Sequence, residues 1–303
     1  MPSTSYRVFL QPLLLLAVAG FSTAQAACPP TGSTRASLTA LKAADFAIKD
    51  DKERQELAVG LLDCLGHADP FLRDGVAYEA LNGWMRGKDL SLSTVRTLHE
   101  RLATQLETRD TDKAGFRQPF AALVMASVVA ADRERRVMDD QAYADLIEIA
   151  ADYFESIRDY RGFDARAGWR HGIAHGADLL TQLAVHPRTR QAQVDRIVGA
   201  LATQIAPASG HFYIYGEPER MALPLVYIAQ RGIYSVDEWS EWFAGIADIP
   251  EQGNLYGSQA ALARRHNLQA LLLVLHVNAS ESKDEGLRTS LLPAVTASLR
   301  LLQ

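Results

Sequence analysis

Along most of the chain, apolar residues recur three and four positions apart, in stretches separated by short breaks of Gly, Pro and polar residues. Val194, Ile197, Val198, Leu201 and Ile205 follow the spacing of a single helical face. Ser93 reads as the N-cap of another helix, whose stripe is Val95, Leu98, Leu102 and Leu106. The same period predicts helices over 51–65, 70–86, 116–131, 140–157, 168–186, 218–231, 236–246, 258–276 and 287–301. Period-two alternation of strand length is almost absent. The breaks fall at Gly66 to Pro70, Gly87 to Ser91, Pro187, Pro207 to Gly210 and Pro250 to Gly257. They are short enough to make neighbouring helices antiparallel. The expected fold is therefore all-α: antiparallel helix pairs at roughly 40-residue spacing, stacked into a right-handed α-α superhelix of HEAT or armadillo type. One closed helical domain is the alternative. No linker divides the chain, so a single helical repeat domain is expected over residues 27–303.

The N-terminus departs from this pattern. Arg7 is the only charged residue before position 27, Leu13 to Phe21 is apolar, and Ala24-Gln25-Ala26 supplies small residues for cleavage. Residues 1–26 thus read as a cleaved signal peptide, and the protein as periplasmic or secreted. The apolar stretch is about half the 20 residues that a membrane span requires, and no later segment serves. Lipidation at Cys28 is disfavoured, because Gln25 stands where an aliphatic residue is wanted. Export leaves Cys28 and Cys64 in an oxidising compartment, either bridged or free with Cys64 packed in the core; the bridge is the expectation.

Charge narrows the function. With 31 basic and 36 acidic residues the formal charge is −5, which gives no support for binding bulk nucleic acid or an anionic membrane surface. Phosphate-binding loops, nucleophile elbows, His-Glu-x-x-His signatures and dinucleotide fingerprints are missing.

One polar stretch stands out, Arg158 to Asp164 followed by Gly168 to Leu180. It reads as a glycine-broken turn running into a helix. At about 100° per residue, His171, His175, Asp178 and Gln182 share one stripe. Gly168, Gly172 and Gly176 repeat on the adjacent face at a cost of about 1 kcal/mol each, which suggests close approach of another helix or a ligand. His171, His175 and Asp178 could hold a divalent metal, grip a polar ligand directly, or supply a base oriented by Asp178 or Asp164. They could also be a merely structural polar stripe. A second polar group, Glu217, Glu219 and Arg220, opens a helix. The acids suit a helix start, whereas Arg220 calls for a carboxylate such as Asp164 or Asp178. A third group is Arg264-Arg265-His266-Asn267.

The runs Arg161-Gly162-Phe163-Asp164, Gly168-Trp169, His171 to Leu180 and His186-Pro187 resemble the signature of the bacterial domain-of-unknown-function family 2785. Asp69-Pro70, Leu72-Arg73-Asp74, Gly216 to Arg220 and His266-Asn267 extend the likeness over residues 69–276. Gln118-Pro119-Phe120 departs from it, standing where the resemblance leads one to expect Arg-Ser-Phe. The resemblance implies an all-helical fold and a polar centre of Arg161, Asp164, Trp169, His171, His175, Asp178, Glu217 and Arg220, without implying a reaction. The expected function is an exported helical-repeat protein that binds a polar small molecule, peptide or glycan fragment through these residues together with His266 and Asn267. The alternatives are a hydrolase or isomerase, with or without metal, that uses His171, His175 and Asp178, and a scaffold for a protein partner.

Overall fold

Short polar side chains start many of the helices. Thr34, Asp50, Asp69, Ser91, Asp139 and Ser258 each accept a hydrogen bond from a backbone N–H two or three residues on, satisfying donors that the first turn leaves open. The computed structural model describes residues 28–108, 114–247 and 256–302. Its first elements are α1 (Arg35–Ala43) and α2 (Asp51–Leu61), followed by a tight turn, Leu62–Gly66. A continuous helical run then comprises α3 (Pro70–Leu72), a wide π-helical turn (Arg73–Tyr78) and α4 (Glu79–Gly87). Next come α5 (Leu92–Glu107), α6 (Arg117–Arg135) and α7 (Asp140–Ser156). A two-stranded antiparallel hairpin follows, β1 (Phe163–Asp164) with β2 (Gly168–Trp169). The remainder is α8 (Gly172–Ala184), α9 (Gln191–Ile205), α10 (Glu217–Gln230), α11 (Val236–Ala247), α12 (Gln259–Glu281), a π-helical turn (Leu287–Leu291) and α13 (Leu292–Leu301).

The protein is all-α apart from the hairpin. Helices α4, α6, α8, α10 and α12 touch one another in that order, and α5, α7 and α9 form a second row behind them. Their apolar faces join in a single buried cluster that extends from Leu38 to Leu302. No helix among the described residues is long and apolar enough to cross a membrane. The signal expected over residues 1–26 lies outside the described residues.

Two boundaries differ from the periodicity. Ser91, not Ser93, caps α5, its hydroxyl accepting from the Thr94 N–H at 3.1 Å. The helix expected from Gly168 begins at Gly172, because Gly168 (φ 75°) and His171 (φ 57°) both take left-handed backbone conformations that a helix cannot continue through. Asp164 closes the hairpin turn, its Oδ1 accepting from the N–H groups of Arg166 and Ala167 at 2.9 and 2.7 Å. Cys28 and Cys64 are disulfide-bonded, which ties the N-terminal lead to the 62–66 turn across a separation of 36 residues. In the chain-entropy account, a loop of that size is worth roughly 4 kcal/mol.

Arg73 connects these parts. Its side chain has no solvent exposure. Nη1 donates to the His67 carbonyl at 2.9 Å, Nη2 to the Ala167 carbonyl at 2.7 Å and Nε to Asp74 Oδ1 at 2.7 Å. The guanidinium lies over the Phe116 and Phe120 rings of the α6 segment, 3.9 and 4.9 Å from their centroids. One residue thus holds the N-terminal helices, α6 and the hairpin together. Replacing it by the similarly sized but uncharged Met would orphan these carbonyls and leave Asp74 without its guanidinium. Arg73→Met is expected to cost about 3–5 kcal/mol of stability, measured by urea unfolding; a loss under about 1 kcal/mol would contradict this role.

Candidate functional site

Close packing shapes the turn that opens the site. A Cβ at Gly162 would lie 2.0 Å from the Tyr215 ring, so no larger residue fits there without displacing the tyrosine. The hairpin carries the chain back to Trp169, which is 38% exposed. Its indole lies nearly parallel to the His171 ring, with centroids 4.7 Å apart, and Phe163 and Tyr215 pack around it.

His171 ends the hairpin and precedes α8. Its Nε2 lies 2.9 Å from the Tyr215 carbonyl oxygen. A carbonyl only accepts, so Nε2 carries the proton and Nδ1 presents a lone pair. Burial, with the nearby Arg220 charge, holds this imidazole below its ordinary pKa despite the opposing bond to Tyr215. His175 lies deeper, edge-on to Phe120 at 5.1 Å. Its Nδ1 is buried without a hydrogen-bond partner. Burial first, then His171 and Arg220, push its pKa down to about 3. Both rings are therefore neutral acceptors near pH 7.

Asp178 follows on α8, and both its oxygens accept from Arg220 Nη1, at 2.6 and 2.8 Å, which couples α8 to α10. Burial pushes its carboxyl up, and Arg220 offsets part of the shift. A groove of about 740 Å³ opens beside Asp178 between α4, α6, α8 and α10. Ala126 and Ala130 leave room on its α6 side, while Tyr78, Asn82, Gln182 and Tyr227 bring polar atoms to its walls. Gln182 Oε1 is buried without a hydrogen-bond partner. The groove lining includes Asp178 but neither histidine.

The expected site residues divide into two groups. Trp169, His171, His175, Asp178 and Arg220 form one connected series. The others hold backbone in place. Asp164 closes the hairpin turn, and Arg161 pairs with Asp159. Glu217 is buried, and its Oε2 accepts from the Tyr215 N–H at 2.8 Å, so it shapes the entry to α10 instead of facing a ligand. Buried Asn267 accepts from the Tyr213 N–H and donates to the His211 carbonyl, each at 2.9 Å, pairing with that loop as a strand would. His266 packs on Phe212 beside the same loop.

The metal trio of His171, His175 and Asp178 is not assembled. Among the described residues no three His, Cys, Asp or Glu are placed to hold a metal ion. The His171 and His175 rings meet one turn apart, with centroids 5.8 Å apart, but His171 Nε2 is engaged by the Tyr215 carbonyl and Arg220 takes both Asp178 oxygens. Of the glycines, Gly176 meets another helix: a Cβ there would lie 2.6 Å from Phe154 of α7. At the departure noted above, Gln118 caps α5, donating to the Leu106 and Thr108 carbonyls at 3.1 and 2.9 Å.

Sequence reasoning missed Tyr78, Asn82 and Tyr227, which are spread over two helices and carry no local signal. It also missed a buried polar knot in which Asp132 takes the Met138 N–H at 2.7 Å, pairs with Arg188 and lies 3.1 Å from His186 Nε2. This knot joins the end of α6 to the turn after α8.

In comparison with known proteins, residues 102–277 match the family model described as Protein of unknown function (DUF2785). The Asp69 to Asp74 motif precedes the matched span. No curated protein and no solved structure matches the chain.

The depressed His175 pKa makes a signed prediction. The fold favours the neutral ring, so its contribution is complete above the ordinary imidazole pKa of 6.5 and is lost as pH falls toward about 3. The stability of His175→Phe relative to the wild type should therefore rise by roughly 1.4 kcal/mol per pH unit between about pH 6 and pH 4 in urea unfolding. A difference that does not change with pH would contradict the assignment.

Proposed function

The chain belongs to the family described as Protein of unknown function (DUF2785), and on that premise we propose that it is an exported helical-repeat protein that binds a polar ligand in the groove beside Asp178 and Arg220. The two rows of helices suit a right-handed α-α superhelix of HEAT or armadillo type, forming one repeat domain over residues 27–303, with α4, α6, α8 and α10 on its concave side. The Cys28–Cys64 bond fits a periplasmic or secreted location.

The observation that carries this reading is the Asp178–Arg220 pair at the edge of a groove that also holds the unpartnered Gln182 Oε1. A buried acceptor without a partner costs free energy that a ligand donor would recover. The volume, about 740 Å³, lies in the range of small-molecule pockets. Binding is favoured over catalysis because neither histidine lines the groove, His175 is buried, and Arg220 occupies Asp178.

The test is a thermal-shift and calorimetric panel of dipeptides, tripeptides and oligosaccharides against the exported chain and an Asp178→Asn/Arg220→Gln double variant, which removes both charges together. A ligand at about 100 times its Kd should raise Tm by roughly 5 °C, and the double variant should bind it at least about tenfold more weakly. Unchanged affinity in a folded double variant would place binding elsewhere.

A further inference from the structure

The groove beside Asp178 has two unlike ends. Helices α4, α6, α8 and α10 run the same way along it. Asn82 pairs with Ser127, and further on the Leu90 carbonyl accepts from Arg135. Phe120 meets His175, and further on Asp132 meets His186. Asp178 pairs with Arg220, and further on the Ala184 carbonyl accepts from Arg231. One end of the groove therefore holds Tyr78, Leu123 and Asp178, and the other holds Arg86, Lys88, Arg133 and Arg135. From Leu123 to Arg133 along α6 the groove is about 15 Å long, at roughly 1.5 Å of rise per residue.

The second end carries more positive charge than the protein itself uses. Glu134, the carboxylate in that part of the lining, is held by Lys88 at 2.8 Å. Among the described residues, Arg86 and Arg133 are exposed and belong to no ion pair. Arg135 Nη2 donates to the Leu90 carbonyl at 2.7 Å, while its Nη1 is buried without a partner. The C-termini of α4 and α6 lie here, but each amounts to roughly half a negative charge, less than three guanidinium groups supply. This end is thus short of an acceptor. The first end is short of donors. Each Asp178 oxygen accepts one bond from Arg220 and keeps a further lone pair, and Gln182 Oε1, one turn along α8, is buried without a partner. A simple anion satisfies only the second end and a simple cation only the first.

We propose that the ligand is a short peptide with free ends, its terminal carboxylate among Arg86, Arg133 and Arg135, a backbone N–H toward Gln182 Oε1 and its ammonium group at Asp178. An extended chain spans about 3.4 Å per residue, so about 15 Å holds four residues. Guanidinium and carboxylate groups pair through parallel hydrogen bonds, which fixes the direction in which the peptide lies. Leu123, Ala126 and Leu223 line the groove and give its side chains apolar contacts. The assignment rests on the binding function proposed above and narrows it to one ligand class.

Tetraalanine and tetraserine with free ends, their C-terminal amides, their N-acetylated forms and the neutral cellotetraose are titrated into the exported chain by calorimetry at low salt. The variants are Arg86→Gln/Arg133→Gln and Asp178→Asn/Arg220→Gln. Arg86 and Arg133 are exposed, so their double variant should keep the wild-type Tm, which shows that it folds. The expected result is 1:1 binding of at least one free tetrapeptide, weakened about tenfold or more by amidation and by Arg86→Gln/Arg133→Gln. The two losses should not add, because both remove one contact. Acetylation should weaken binding to the wild type and have little further effect on Asp178→Asn/Arg220→Gln. If the amides bind as tightly as the free acids, the peptide assignment is overturned. If cellotetraose binds through Asp178 and Arg220 while no tetrapeptide binds at up to about 10 mM, the assignment is overturned and the groove function stands. If a tetrapeptide binds and neither double variant weakens it, or if no probe binds, the groove function fails with the assignment.

Discussion

A guanidinium with no access to solvent is expensive to keep, and the way this protein accommodates Arg73 organises the rest of the molecule. Its charge is met by the Asp74 carboxylate, by carbonyls from two distant segments and by two phenylalanine faces. The Ala167 carbonyl belongs to the hairpin turn, so the hairpin is positioned by the same group that joins the N-terminal helices to α6. Fixing the hairpin fixes Trp169, and through the indole it fixes His171. Phe120, which covers the guanidinium on one side, meets His175 on the other. The structural hub and the candidate site thus share atoms, and a disturbance at either would be felt at the other.

The protonation states follow from this packing. The Tyr215 carbonyl engages the His171 N–H, and burial keeps both rings uncharged, so the site presents lone pairs instead of positive charge. Burial raises the Asp178 pKa, and Arg220 against it offsets part of that rise. The outcome is a pair of uncharged imidazoles beside exposed aromatic rings, next to a groove that Arg86, Lys88, Arg133 and Arg135 also line.

Much of the helical framework was legible in the sequence, because apolar spacing reports which face of a helix is buried. The predicted stripe of α9 is fully interior at Val194, Ile197, Leu201 and Ile205. The hairpin was not legible. Phe163–Asp164 and Gly168–Trp169 are two residues each, too short for a period, and the cue against a helix from Gly168 was a left-handed backbone angle at His171 that residue type alone does not announce. The metal trio failed for a different reason: the His171 and His175 rings do meet, but Arg220, from a distant helix, occupies both Asp178 oxygens. Glu217 and Asn267 were marked as ligand contacts on residue type. Both are instead satisfied by backbone groups from the loop before α10, pairings that depend on tertiary placement. Gln182 did lie on the predicted stripe, and its buried, unpartnered oxygen is a feature that only the packing reveals.

The central claim is that both imidazoles of the site are neutral and that His171 is protonated at Nε2, which leaves its Nδ1 as an acceptor. Nitrogen-15 NMR of the histidine side chains at neutral pH tests it most directly, with His171→Gln and His175→Gln used for assignment. The account predicts neutral rings for both residues and the Nε2–H tautomer for His171. An imidazolium or an Nδ1–H tautomer at His171 in the folded protein would contradict it.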